Sequence, residues 1–124
     1  MSIKTKEVFI NNKTYILSNA SAIDQFDIVK TLGASFALNY ENVNNIDTII
    51  GILLNELLDK QALFNIQEIL SQSIEEKGKN YKISIKDFTG EIFSFYRLIA
   101  ESIKFNLSDF FTYLSSLKTE EIAE

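Results

Sequence analysis

The sequence predicts a mainly α-helical domain with a small β part: an N-terminal β-hairpin packed on a bundle of about five helices. Three observations point there. Residues 6–17 (KEVFINNKTYIL) place two β-rich runs on either side of Asn11-Asn12-Lys13. From Ala22 onward, apolar residues recur at helical spacing in one segment after another. The chain contains no proline, so its helices must end by capping residues, Gly or Asn. With 124 residues, of which 46% are hydrophobic, it fits one domain, 1–124, and can bury a core without staples.

In the hairpin, Glu7–Ile10 and Thr14–Leu17 read as strands, because Asn tolerates the left-handed conformation that a tight turn needs. Val8, Ile10, Tyr15 and Leu17 form one alternating set, and Phe9 and Ile16 point the other way. Two strands alone are marginal, so the apolar set must pack on something else. After Ser18–Ser21, the pair Ser21 and Asp24 gives a helix-start signal. The first helix is expected from Ala22 to Leu38, with Phe26, Val29, Leu32 and Phe36 on its inner face. Gly33 on that face suggests close approach of another helix, since a mid-helix glycine costs about 1 kcal/mol of propensity.

Asn39–Asn45 reads as a loop. Asn45 should cap a second helix running to about Asp59, with Asp47 in its first turn. Ile46, Ile49, Ile50, Leu53, Leu54 and Leu57 share a face there, and Ile52 and Leu58 widen it almost all round. A helix apolar on most sides belongs at the centre of its domain or in an oligomer interface. A third helix is expected from Ala62 to Lys77, lined by Leu63, Ile66, Ile69, Leu70 and Ile74 and capped by Gly78. Lys79–Lys86 alternates Tyr81, Ile83 and Ile85 with polar residues, a short strand pattern. A fourth helix, Gly90 to Lys104, carries most of its aromatics on one arc, with Leu98 as a stray apolar residue on the polar side. Ser108 should cap a fifth, Asp109 to Lys118, with Phe110, Phe111, Tyr113, Leu114 and Leu117 on one face. The helical bundle thus spans 22–118, and 119–124 reads as a frayed acidic tail.

Composition excludes much chemistry. Without Cys there is no disulfide, zinc-thiolate site or thiol nucleophile, and without His the commonest general base and metal ligand are missing. The net charge is −5, with a single Arg (Arg97) and no basic run, which speaks against nucleic acid as a partner. The longest apolar run, Ile49–Leu54, is too short to span a membrane, and the N-terminus lacks a signal-peptide core. The carboxylate pairs Asp24/Asp27 and Glu56/Asp59 could serve as acid and base, but they read better as solvated helix faces. The Asn-rich loop reads as helix caps, and Asp87-Phe88-Thr89-Gly90 as a helix-start turn rather than a phosphate turn. No catalytic residue, metal ligand or cofactor is expected. Eight aromatics crowd between Phe88 and Tyr113. Most should be core, and any surplus is apolar surface for self-association or for a partner helix.

The opening VFINNKTYILSNASAIDQFDIVKTLG resembles the start of bacteriophage tail assembly chaperones through Phe9, Ile10, Asn11, Lys13, Tyr15, Leu17, Gln25, Phe26 and Ile28. Asn12 stands where that family usually has Gly, and Lys79–Lys86 offers Tyr81 where it has a tryptophan. The closing segment is similar to the family's ending through Asn106, Phe110 and Phe111. The resemblance implies a non-catalytic chaperone that binds and solubilises the tape measure protein, and other tail proteins besides, during tail assembly. It also implies action in the host bacterial cytoplasm and absence from the mature virion. Partner contacts are expected at Ile52, Leu58, Leu98, Phe110, Phe111 and Tyr113, with a homo-oligomer as a further expectation. The competing reading is a small acidic regulatory or inhibitor protein of a mobile element that acts by protein–protein binding. A small carboxylate enzyme is a third, and it would require a polar pocket around one of the Asp/Glu pairs.

Overall fold

Asn11 and Asn12 both take positive φ, 53° and 66°, which makes the two-residue turn that matches the twist of its flanking strands. The turn sets the register of β1 (Thr5–Ile10) against β2 (Lys13–Ser18), from Ile10 opposite Lys13 to Thr5 opposite Ser18. Val8, Ile10, Tyr15 and Leu17 are buried as the alternation requires, and Phe9 points to solvent. The computed structural model describes residues 4–39, 42, 44–55 and 58–123, with 117–123 as backbone only.

Five helices follow: α1 (Ala22–Leu38), α2 (Ile46–Leu53), α3 (Lys60–Ser71), α4 (Ile92–Asn106) and α5 (Ser108–Ala123). The mainly helical fold headed by a hairpin is as expected, and the boundaries of α1 match. Ser21 Oγ accepts from the Asp24 N–H at 3.1 Å, and Asn45 Oδ1 accepts from the Asp47 N–H at 2.8 Å, so both caps hold. Glu56, Leu57 and Glu124 lie outside the described residues, as do the side chains of Leu117 and the acidic tail. The backbone of residues 119–123 continues α5.

The structure corrects the middle of the chain. The second helix stops at Leu53. Beyond it the Asn55 N–H bonds to Ile52 O and the Leu58 N–H to Asn55 O. Periodicity cannot place a stop inside a run that is apolar on every side. The third helix ends at Ser71, and Ile74–Glu76 forms a strand, β3, antiparallel to β2 in a sheet of order β1-β2-β3. Ile74 continues the helical stripe of Ile66 and Leu70, but it lies opposite Leu17 and is fully buried there. The open edge of β2 therefore decides its state. Gly78 then turns the chain after a strand, at φ 90°, and caps no helix. Lys79–Lys86 adds one bridge, Lys82 to Glu75, and one bond from the Ile83 N–H to Ile74 O. A capping box between Ser84 and Asp87 next starts a single 3₁₀ turn, Ile85–Phe88, which prevents a longer strand.

The central element is α4 and not α2. It packs against α2, α3, α5, β1, β2 and the 3₁₀ turn, and it buries Phe95, Tyr96, Leu98, Ile99, Ala100, Ser102, Ile103 and Asn106. Leu98 is no stray, because α4 has neighbours on the side that the helical wheel left polar. On α1 the inner stripe is Ile28, Leu32 and Phe36, with Val29 half-buried and Phe26 turned outward. A Cβ on Gly33 would lie 3.6 Å from Val29 Cγ1 and 3.8 Å from Phe110 Cζ, ordinary contact distances. No close helix approach demands a glycine there.

Gly33→Ala should therefore raise stability, by up to about 1 kcal/mol, in urea unfolding followed by circular dichroism. A second expectation concerns alkaline pH. Burial, reinforced by the Glu76, Glu91 and Asp87 carboxylates, raises the Tyr15 phenol above its ordinary range, and burial raises Tyr96. A raised acid favours the fold while protonated, so this stability is complete below pH ~10 and is lost as pH climbs through the raised values. Melting temperatures should fall above that pH, and Tyr15→Phe should flatten the decline.

Candidate functional site

Residues expected to touch a partner fall into two groups. Ile52, Leu98 and Phe111 are buried in the core. Leu58 and Phe110 are half-buried against the core, and Tyr113 is 57% exposed. The last two come together with residues of α1 that spacing assigned to the interior. Phe26, 60% exposed, lies with Ala22 and Val29 on one wall of an open groove of about 380 Å³, whose other wall is Leu107, Phe110 and Tyr113. Leu58 lies elsewhere, in the approach to α3.

Buried aromatic rings back the Phe110 wall of the groove. Phe111 meets Phe36 edge-on with ring centres 5.2 Å apart, and the neighbouring Phe110 ring lies 6.4 Å from Phe36. Phe110 stacks at 6.4 Å on Tyr113, so the buried aromatic cluster continues directly to the surface. The mouth carries one carboxylate, Asp109, and the Gln25 amide.

Asn106 sets how the two walls meet. It is buried at the C-terminus of α4, beside the start of α5. Its Oδ1 accepts from the Ala20 N–H at 2.6 Å and from Gln25 Nε2 at 3.1 Å, both at the entry to α1. Its Nδ2 donates to Ser102 O at 2.9 Å and Ser102 Oγ at 3.3 Å, within its own helix. One side chain thus joins the start of α1 to the α4–α5 junction. The resemblance pointed to Asn106 as part of the family's ending, and its tertiary bonds were not legible there.

Other candidates resolve differently. Asp24 and Asp27 line a cleft of about 680 Å³ between α1 and α3, beside Glu68, Lys30 and the apolar Ile66 and Ile69. Among the described residues no three Asp or Glu side chains gather closely enough to hold a metal ion. The Asn-rich loop is largely caps: Asn39 Nδ2 donates to Ser35 O at 2.8 Å and Asn45 starts α2. Asp87 belongs to the capping box, and Gly90 turns at φ 83°. Gln67 Oε1 has no hydrogen-bond partner among the described residues, and less than 1 Å² of it is accessible. No helix among the described residues is long and apolar enough to cross a membrane.

Reading by spacing missed Phe26 because α1 carries two stripes, Phe26–Val29 and Ile28–Leu32–Phe36, of nearly equal quality. It also missed a cationic groove of about 390 Å³ where Lys4, Lys6 and Lys104 meet, since these lysines are far apart in the chain.

Fold and groove together define a small helical domain, headed by a three-stranded sheet, that presents an aromatic cleft between its first and last helices. The chain belongs to the phage tail assembly chaperone family: the family model described as "Phage tail assembly chaperone protein, TAC" matches residues 11–118. No curated protein and no solved structure matches the chain.

Replacing Asn106 with Leu should lower stability by roughly 2–4 kcal/mol, because it strands the Ala20 N–H and removes the other bonds. Gln25→Met removes one bond of the four and should cost less than about 1 kcal/mol in the same urea titration.

Proposed function

We propose that this protein is a non-catalytic tail assembly chaperone that binds the tape measure protein and keeps it soluble while the tail tube forms. Membership of the family supports the assembly role. The observation that carries the binding mode is the open groove lined by Phe26, Phe110 and Tyr113. An open apolar groove between two helices suits the apolar face of a third helix, taken in at i, i+3, i+4 and i+7 positions. Burying Phe26 and Tyr113 would supply the aromatic anchors that dominate such contacts. The net charge of −5 keeps the complex soluble while the groove is occupied. Other tail proteins with amphipathic helices would be taken in the same way. A second copy of the chain would compete for the groove, so the free chaperone would self-associate through it. The work would be done in the host cytoplasm, and the chaperone would be left out of the finished virion.

The test is co-expression with the tape measure protein of the same phage. Phe26→Glu combined with Tyr113→Glu should lower the soluble fraction of that protein about tenfold, the effect of losing one to two kcal/mol at an anchor. Phe93→Glu, at a residue 69% exposed on α4, serves as the control and should change little. Equal solubilisation by the double variant and the parent would remove the groove from the reading. No solubilisation by the parent itself would remove the function.

A further inference from the structure

The hairpin leaves one side of the sheet open. In a two-residue hairpin the residues that flank the turn exchange hydrogen bonds with each other, and the pattern alternates from there. Ile10, Val8 and Lys6 therefore direct their N–H and C=O groups at β2, and Phe9, Glu7 and Thr5 direct theirs away from it. Among the described residues no strand pairs with that far side, since β1 is the first strand in the order β1-β2-β3. Thr5, Glu7 and Phe9 are all exposed.

A second observation concerns the ground beside this edge. Lys6 shares the inner face of β1 with Val8 and Ile10, and Lys4 lies on the same side. They open onto the groove of about 390 Å³ that reaches across the end of α4 to α5. Lys104 stands on its other side, anchored by donation from Nζ to Asn44 O at 2.9 Å, and Lys4 lies 5.7 Å above the Phe105 ring. Ser108, Phe111, Thr112 and Ser115 also line it, and among the described residues no carboxylate does. In a chain of net charge −5 this is a concentration of positive charge with donors around it.

We propose that β1 and this groove together accept an extended acidic segment of a partner protein, added as a fourth strand. Main-chain bonds would run to the outward groups of Thr5, Glu7 and Phe9. Alternate side chains of the added strand would then stand on the inner face, about 5 Å from their cross-strand neighbours. Asp or Glu at those positions meets Lys4, Lys6 and Lys104, and the intervening residues face outward. Extended peptide and acidic character follow from separate observations, the first from the open edge and the second from the lysines. Nucleic acid suits the site less well, because its phosphates cannot use the free C=O groups of the edge. This surface is distinct from the α1–α5 groove, so the chaperone would hold two segments at once, one helical and one extended.

The test uses the full chain and a fluorescein-labelled peptide of eight residues, Glu-Thr-Glu-Val-Glu-Val-Glu-Thr. Titration should shift the amide resonances of Thr5, Glu7 and Phe9 and slow their hydrogen exchange. Affinity should fall at least about fivefold between 50 and 300 mM salt, as it must when exposed charges are screened. Lys6→Glu should weaken binding by a similar factor, and Lys4→Glu serves if that variant folds poorly. A peptide with Lys in place of Glu, and one N-methylated at alternate amides, should both fail to bind. Salt-sensitive binding that leaves those three amides unprotected would overturn strand addition. Equal binding of the N-methylated peptide, or tighter binding of an oligothymidylate of equal charge, would overturn it as well. So would absence of binding, which would leave the lysines as guards of a solvent-exposed edge. Loss of the tape measure interaction in the Phe26/Tyr113 variant with peptide binding intact would separate this site from the proposed function.

Discussion

The fold depends on α4 being enclosed. Leu98, Ile99, Ala100 and Ile103 have no exposed surface, and they point in different directions around the helix. Most other elements cover a sector of α4: β1 and β2 on one side, α2, α3 and the 3₁₀ turn on others, α5 at its end. A helix buried on most of its circumference must satisfy its polar residues internally, because water cannot reach them. Asn106 and Ser102 do this, and in doing so they bind the start of α1 to the axis of the domain. One requirement, closure of the central helix, thereby fixes the distance between α1 and α5.

That distance matters because the aromatics are continuous across it. Phe36, Phe111, Phe110 and Tyr113 form a series from deep core to open surface, with ring centres 5.2 to 6.4 Å apart. A surface aromatic backed by buried aromatics is already ordered, so a partner helix need not spend binding energy on fixing its side chain. Core and surface aromatics are in this respect one structure. On α5 the buried Phe111 and Leu114 lie in a stripe next to the more exposed Phe110 and Tyr113.

Charge is sorted over the surface in a way that the even distribution along the chain conceals. Lys4 and Lys6 begin the hairpin and Lys104 ends α4, and the packing of α4 under β1 brings them to one groove. Asp24, Asp27 and Glu68 gather on the opposite pair of helices in the same manner. Among the described residues the ion pairs, Glu7 with Lys77, Glu75 with Lys82 and Asp47 with Arg97, are on the surface and contribute little to stability. The chain belongs to a phage tail assembly chaperone family, and sorted surfaces of this kind suit the recognition of tail proteins.

By itself the sequence determined what depends on neighbours a few residues away. The hairpin and its inward set followed from Asn11-Asn12 and strict alternation. The limits of α1 followed from Ser21 and the change to Asn-rich loop, and the start of α2 from Asn45. The recurring Asn106, Phe110 and Phe111 were visible as a pattern, which carried the family resemblance but not their separate roles. Tertiary structure decided the remainder. It chose Ile28 over Phe26 for the interior of α1, made Ile74 a strand residue because β2 lacked a partner, and buried Leu98 on a side that looked polar. It also gathered the lysines. The physical reason is common to all four: a periodic pattern says which residues share a face, and only the packing of distant segments says which face is covered.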